Sequence, residues 1–178
     1  MAGEETSSVA LVAVDDTVLA LLVHAAITDA GADEVTPPLT VGPAWTSARV
    51  AWLRDFHRAR RPGPAGPAGE ATWAVVLDEQ VVGSVRLKHT DEHGLLEMGI
   101  WLTRSARGRG VGRAAMDATL RQAATLGATQ VQADTTVANA GALALLRRLG
   151  FTLVLAEDGQ AVRALLMIGP KTSGDQCR

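Results

Sequence analysis

The sequence predicts a mixed α/β domain, and three observations carry that prediction. β-prone runs over residues 72–77, 81–88 and 95–102 follow one another across short polar turns, the pattern of an antiparallel meander. A glycine-rich basic segment, RGRGVG at residues 107–112, separates the last of these runs from a helical stretch beginning at Arg113. Strand and helix signals alternate along the whole chain as β-α-α-β-β-β-α-β-α-β-β, with no internal repeat.

Length and composition bound the reading. The chain has 178 residues, 47% hydrophobic and 20% charged, enough apolar material for one well-packed domain. We assign residues 1–170 to that domain and 171–178 to a C-terminal tail. A formal net charge of −2 argues against a nucleic-acid binder. No apolar run reaches the ~18–20 residues of a membrane helix, and the first ten residues are acidic and polar, unlike a signal peptide. The single cysteine, Cys177, leaves no disulfide framework, so a reducing, cytoplasmic setting is expected.

Taken in order, residues 8–14 read as a strand and 17–30 as a helix, with Asp15 or Asp16 as its cap and Gly31 as its stop. Residues 32–44 read as a loop held extended by Pro37 and Pro38. A second helix is expected over 45–61, capped by Thr46 or Ser47, followed by a Pro/Gly loop at 62–69. The meander comes next, with Gly83 marking a candidate bulge. Residues 130–136 alternate as a strand, 139–149 form a helix stopped by Gly150, and 151–156 and 161–168 close the sheet.

The segment between Leu102 and Arg113 has the chemistry of an anion cradle. Glycine admits positive φ and close backbone approach, and a helix N-terminus directs unsatisfied N–H groups outward. Arg107 and Arg109 add forked donors, and a pyrophosphate suits the arrangement. Gly110-x-Gly112-x-x-Ala115 mimics a dinucleotide fingerprint, with Asp134 at the expected distance. The context rejects it: the preceding strands form a meander rather than a βαβ unit, and several residues separate Leu102 from Gly110. A Walker lysine is also missing.

RGRGVG resembles the Arg/Gln-x-x-Gly-x-Gly/Ala signature of the GNAT superfamily of acetyl-CoA-dependent N-acetyltransferases. NAGALALLRRLGF, residues 139–151, is similar to that family's Asn-initiated helix with its Leu-Gly-Phe ending. Spacing and element order agree over residues 72–168, and EMGIWL resembles the branch of ribosomal-protein and antibiotic acetyltransferases. The resemblance implies a mostly antiparallel sheet split into a V, flanked by about four helices. It implies that the backbone of Ile100, Trp101 and Leu102 pairs with the pantetheine arm of acetyl-CoA. It also implies that Arg107, Gly108, Arg109, Gly110, Val111 and Gly112 hold the pyrophosphate, and that Asn139 bonds the arm.

For the chemistry, Glu97 is the candidate base, since it lies on the strand where the resemblance places a carboxylate. Alternation puts Glu97, Gly99 and Trp101 on one face, and neighbouring apolar residues are expected to raise its basicity. Relatives carry a tyrosine acid seven residues after the asparagine; Leu146 occupies that position, and the chain has no tyrosine. Ser105, Thr135, Thr136, His89 or water are the substitutes, unless the thiolate leaves unassisted. His89 and His93 flank an acidic turn that reads as solvated rather than metal-binding. Asp33, Glu34 and Trp45 are the candidate acceptor contacts. The expected acceptor is a small-molecule amine, polyamine-like or an antibiotic, taken by direct transfer in a ternary complex. A protein N-terminus is the alternative acceptor, and a non-catalytic CoA-binding regulator the alternative role. No metal is expected, and the protein is read as a monomer or homodimer.

Overall fold

The computed structural model describes residues 8–169; the expected tail with Cys177 lies outside them. Strand β1 (Val9–Ala13) leads into helix α1 (Asp16–Asp29), whose N-cap Asp15 accepts the Val18 N–H at 2.8 Å. A four-residue helix, α2 (Ala32–Val35), precedes α3 (Ser47–Ala59), which Thr46 caps. The meander is β2 (Glu70–Leu77), β3 (Gln80–His89) and β4 (Leu95–Leu102). After it come α4 (Val111–Thr125), β5 (Gln130–Thr136), α5 (Ala140–Arg148), β6 (Thr152–Leu155) and β7 (Ala161–Met167).

The seven strands form one sheet in the order β1-β2-β3-β4-β5-β7-β6, antiparallel except at β4–β5. Alternation divides its faces. Leu87, Leu96, Met98 and Val131 pack with Met116 of α4 and Leu146 of α5. On the other face, Ala74 and Trp101 pack with Leu22 of α1 and Leu53 of α3.

Two local features set the geometry near the site. Asp78 and Glu79 both take positive φ, 47° and 67°, in a two-residue turn that pairs Leu77 with Gln80. The β2–β3 register then slips between Val75 and Val76, beside Gly83. A Cβ on Gly83 would lie 2.2 Å from the Trp101 carbonyl oxygen, so only glycine allows β3 and β4 to run this close.

The sheet opens at β4–β5. Pairing covers only Leu95 to Glu97 against Gln130 to Gln132, whereas β3 stays paired to β4 through Leu102 and β7 to β5 through Thr136. Beyond Glu97 the two strands diverge, leaving a V. The small difference from expectation is α2: Glu34 Oε2 accepts the Gly31 N–H at 2.8 Å, so this turn supplies its own cap ahead of the prolines.

Candidate active site

Parity along β4 decides which backbone groups face the opening. The Thr103 N–H donates to the Val82 carbonyl at 2.8 Å, so the peptide groups of Thr103, Trp101 and Gly99 turn toward β3. Those of Ile100 and Leu102 turn toward the V. The Leu102 carbonyl is taken there by Arg107, at 3.1 Å from Nε and 2.9 Å from Nη2. Trp101 therefore contributes its indole to the cavity described below rather than peptide groups to the split.

A 3-10 turn at residues 104–106 carries the chain from β4 into the glycine loop. Gly108 and Gly110 have φ of 71° and 79°, and open space lies where their Cβ atoms would be. No backbone or side-chain acceptor among the described residues takes the N–H groups of Gly108 to Arg113. The first helical bond of α4 runs from the Ala114 N–H to the Gly110 carbonyl. Unsatisfied amides at the positive end of a helix dipole form a concavity suited to phosphate oxygens.

Across β4, a cavity of about 420 Å³ opens between the sheet and α2–α3. Its floor is a chain of charges. Arg86 donates to Glu97 Oε1 and, at 3.0 Å, to Glu70 Oε1, while Arg60 donates to the other Glu70 oxygen. Burial pulls the Arg86 pKa down, but the hydrogen bond and charge of Glu97, with those of Glu70, outweigh it and leave the guanidinium held above its usual value. Gly99 lies beside Arg86, and the arginine fills the space its side chain would need: a Cβ would fall 2.7 Å from Arg86 Nε. The Glu97 Oε2 atom has no partner among the described residues. Phe56 stacks on Trp52 and carries Arg60 over its ring. His57 Nδ1 meets Thr72 Oγ1 at 2.9 Å while its Nε2 is buried without a partner. Desolvation, aided by the Arg60 charge, lowers the His57 pKa to about 4, so the ring is neutral near pH 7.

The sequence profile of the Acetyltransferase (GNAT) family matches residues 42–151, more than half of the chain. The chain belongs to the GNAT acetyltransferases. Its fold resembles the acetyl transferase from Salmonella typhimurium that modifies the N-terminal serine of a 50S ribosomal subunit protein. The TM-score is 0.70 at 16% identity, covering 91% of this chain and 96% of that one. It also resembles mutant forms of the spermidine/spermine N-acetyltransferase of Vibrio cholerae, with TM-score 0.66, 18% identity and coverage of 89% and 93%. A nourseothricin acetyltransferase gives TM-score 0.51 and 27% identity over 59% of this chain and 69% of that one. Among curated protein sequences none matches.

This GNAT chain is an acetyl-CoA-dependent N-acetyltransferase, and its residues fit the co-substrate. The free amides from Gly108 to Arg113 suit a pyrophosphate, and the unpaired edge of β4 at Ile100 suits an amide-bearing arm. The 15-residue α4 places its N-terminus at the mouth of the V, where a Cβ on Gly112 would lie 3.3 Å from the Leu145 side chain and 3.5 Å from that of Leu102. Asn139 caps α5 by accepting the Ala142 N–H at 3.0 Å, and its Nδ2 stays free among the described residues.

Of the other sequence-named residues, Glu34 and Glu97 line the cavity. Asp33 bonds Arg49, a fully buried side chain, at 2.7 Å. Glu34 clasps Arg107 through two bonds of 3.0 Å, and that guanidinium, with the Gly31 N–H, holds its carboxyl below the usual range despite some burial. Trp45 donates its indole N–H to the Ala30 carbonyl at 2.9 Å and packs in the α1–α3 core. Glu97 faces the Arg86 guanidinium rather than an apolar wall. Leu146 is 3% exposed in the core, so α5 presents no hydroxyl there. Ser105 donates to Asp29 through N–H and hydroxyl, and these bonds lower the Asp29 pKa. Among the described residues, no cluster of three His, Cys, Asp or Glu is placed to hold a metal ion, and no helix is long and apolar enough to cross a membrane.

Arg86 and Glu70 escaped the sequence reading. One signal was available: β3 alternates as Ser84-x-Arg86-x-Lys88, placing both cations on the face of Glu97. Knowing that Arg86 reaches Glu70 as well requires the β2–β3 register, which the turn and the slip at Val75 decide.

Proposed function

We propose that this single domain moves the acetyl group of acetyl-CoA directly onto a primary amine of a small molecule, with Glu97 as the base. The observation that supports this best is the free Oε2 of Glu97, a residue that lines the 420 Å³ cavity from the strand that borders the V. That volume lies within the range of small-ligand sites. Acetyl-CoA supplies the acetyl group as an activated thioester: the C–N bond would form as the C–S bond breaks, and CoA would leave as a thiolate that takes up the second proton released from the nitrogen. Arg86 fixes the Glu97 carboxylate through Oε1 and leaves Oε2 to take a proton from the incoming ammonium. The amides after Gly108 grip the pyrophosphate, and the unpaired peptide groups of Ile100 align the arm, so that proximity supplies much of the rate. The only cysteine is Cys177, far along the sequence from these elements, and a direct transfer needs no acyl-enzyme.

Glu97→Gln tests the assignment. Turnover is expected to fall about 10²- to 10³-fold while the Kd for CoA, read by calorimetry, stays within twofold. Wild-type turnover by the variant at every pH from 6 to 9 removes Glu97 from the role.

A further inference from the structure

We infer that the acceptor is a zwitterionic monoamine, an α-amino acid with an apolar or aromatic side chain, and not a polycation. The inference rests on the amine acetylation proposed above and narrows its substrate class.

Charge balance comes first. Three acids and three bases line the cavity: Glu34, Glu70 and Glu97 against Arg60, Arg86 and Lys88. Glu34 is already held by Arg107, a fourth cation, from outside the cavity wall. Glu70 is shared by Arg60 and Arg86, and Glu97 is held by Arg86. His57 is buried and neutral, so it adds no charge to the balance. A single ammonium finds one open carboxylate oxygen, on Glu97. A polyamine brings further ammonium groups for which no uncommitted carboxylate lines the cavity. Recognition of polycations needs a surplus of negative charge, and this cavity has none.

The second observation is Lys88. It pairs in register with Glu97 on one side and with Glu70 on the other, on the same face of the sheet. Both acids turn to Arg86 instead, and Lys88 has no ion-pair partner among the described residues. Directly opposed residues on neighbouring strands hold their Cβ atoms ~5 Å apart. Lys88 and Glu97 both line the cavity, and the exposed Lys88 side chain, with no such partner, is long enough to bring its ammonium to a group bound at Glu97. A molecule whose own amine and carboxylate are one carbon apart meets both at once: amine to Glu97 Oε2, carboxylate to Lys88. The remaining wall, Trp52, Phe56 and Trp101, suits an apolar or aromatic body.

The test is thiol release by the full chain with acetyl-CoA and a matched acceptor panel. The panel holds phenylalanine, tryptophan and leucine, the amides of the same three, a tripeptide and spermidine. The free amino acids are expected to show kcat/KM at least tenfold above their amides, with spermidine and the tripeptide lower still. In Lys88→Gln the KM for free amino acids should rise about tenfold with kcat changed less than twofold, and the KM for the amides should not rise. Spermidine, the tripeptide or the amides matching the free amino acids overturns the zwitterion assignment and leaves amine acetylation standing. An equal KM change for amino acids and amides in Lys88→Gln also overturns it. No turnover of any amine by protein that binds CoA overturns both readings.

Discussion

Lowering the pH from 7.5 to 5.0 should destabilise this protein chiefly through one residue, His57. The ring is 1% exposed, bonded at Nδ1 to Thr72 and without a partner at Nε2. Burial first, and the Arg60 charge second, lower its pKa from 6.5 to about 4. The unfolded chain therefore takes up a proton near pH 6.5 that the folded chain refuses until about pH 4. The neutral ring's contribution is complete above 6.5 and is lost as the pH falls between those values. Proton linkage puts the loss at ~2 kcal/mol between pH 7.5 and 5.0, and ~3 kcal/mol by pH 4. The acids with lowered pKa, Asp16, Asp29, Glu34 and Asp158, start from ordinary values of 3.8 to 4.5. Their contributions are lost only as the pH falls below that range, so pH 5.0 isolates the histidine. The assay is urea unfolding of wild type and His57→Gln at pH 7.5, 6.0 and 5.0. Gln keeps a hydrogen-bonding group for Thr72 but does not titrate. Its free energy should stay nearly flat over this range while that of the wild type falls by about 2 kcal/mol. Parallel losses in both proteins refute the argument.

Two substitutions probe the supports of the site. Gly99→Ala should displace Arg86, because the new Cβ would lie 2.7 Å from Arg86 Nε; kcat/KM is expected to fall about tenfold with unchanged far-ultraviolet circular dichroism. Arg49→Met removes a fully buried cation that bonds Asp33, Thr36, Thr40 and the Gly42 carbonyl. It should cost about 3 kcal/mol in urea unfolding and expose residues 36–46 to limited proteolysis.

Local signals made most of the fold legible. The bounds of β4 follow from a β-prone run between turn residues and those of β5 from alternation, and Asn139 with Gly150 brackets α5. The unpartnered amides of the glycine loop were also legible, because glycine spacing and a following helix leave N–H groups free. What stayed hidden was choice among partners. Asp33 and Glu34, expected in a loop, sit in the four-residue α2, and cations 16 and 73 residues along the chain bond them. Glu97 read as a base in an apolar wall because nothing local announces that Arg86 crosses Gly99 to reach it. Such pairings depend on strand register and loop packing, and no periodicity encodes them.

Arg107 and Arg109 look alike in the sequence, and the structure gives them different surroundings. Arg107 spends its guanidinium on the Leu102 carbonyl and on both oxygens of Glu34, so it ties the end of β4 to α2 and presents little to a phosphate. Arg109 lies between the two left-handed glycines with no ion-pair partner among the described residues, free to meet an anion. A point charge near a phosphate acts through screened Coulomb attraction, whereas a bidentate clasp acts through geometry. Arg109→Gln should therefore raise the Kd for CoA about three- to tenfold at 50 mM salt and less at 500 mM, with Tm unchanged. Arg107→Lys keeps the charge but not the fork, so it should lower Tm and weaken CoA binding equally at both salt concentrations. Calorimetric titration at the two salt concentrations separates the cases. A salt-dependent loss in Arg107→Lys with none in Arg109→Gln would reverse the assignment, making the clasped arginine the phosphate ligand and requiring it to leave Glu34 when CoA binds.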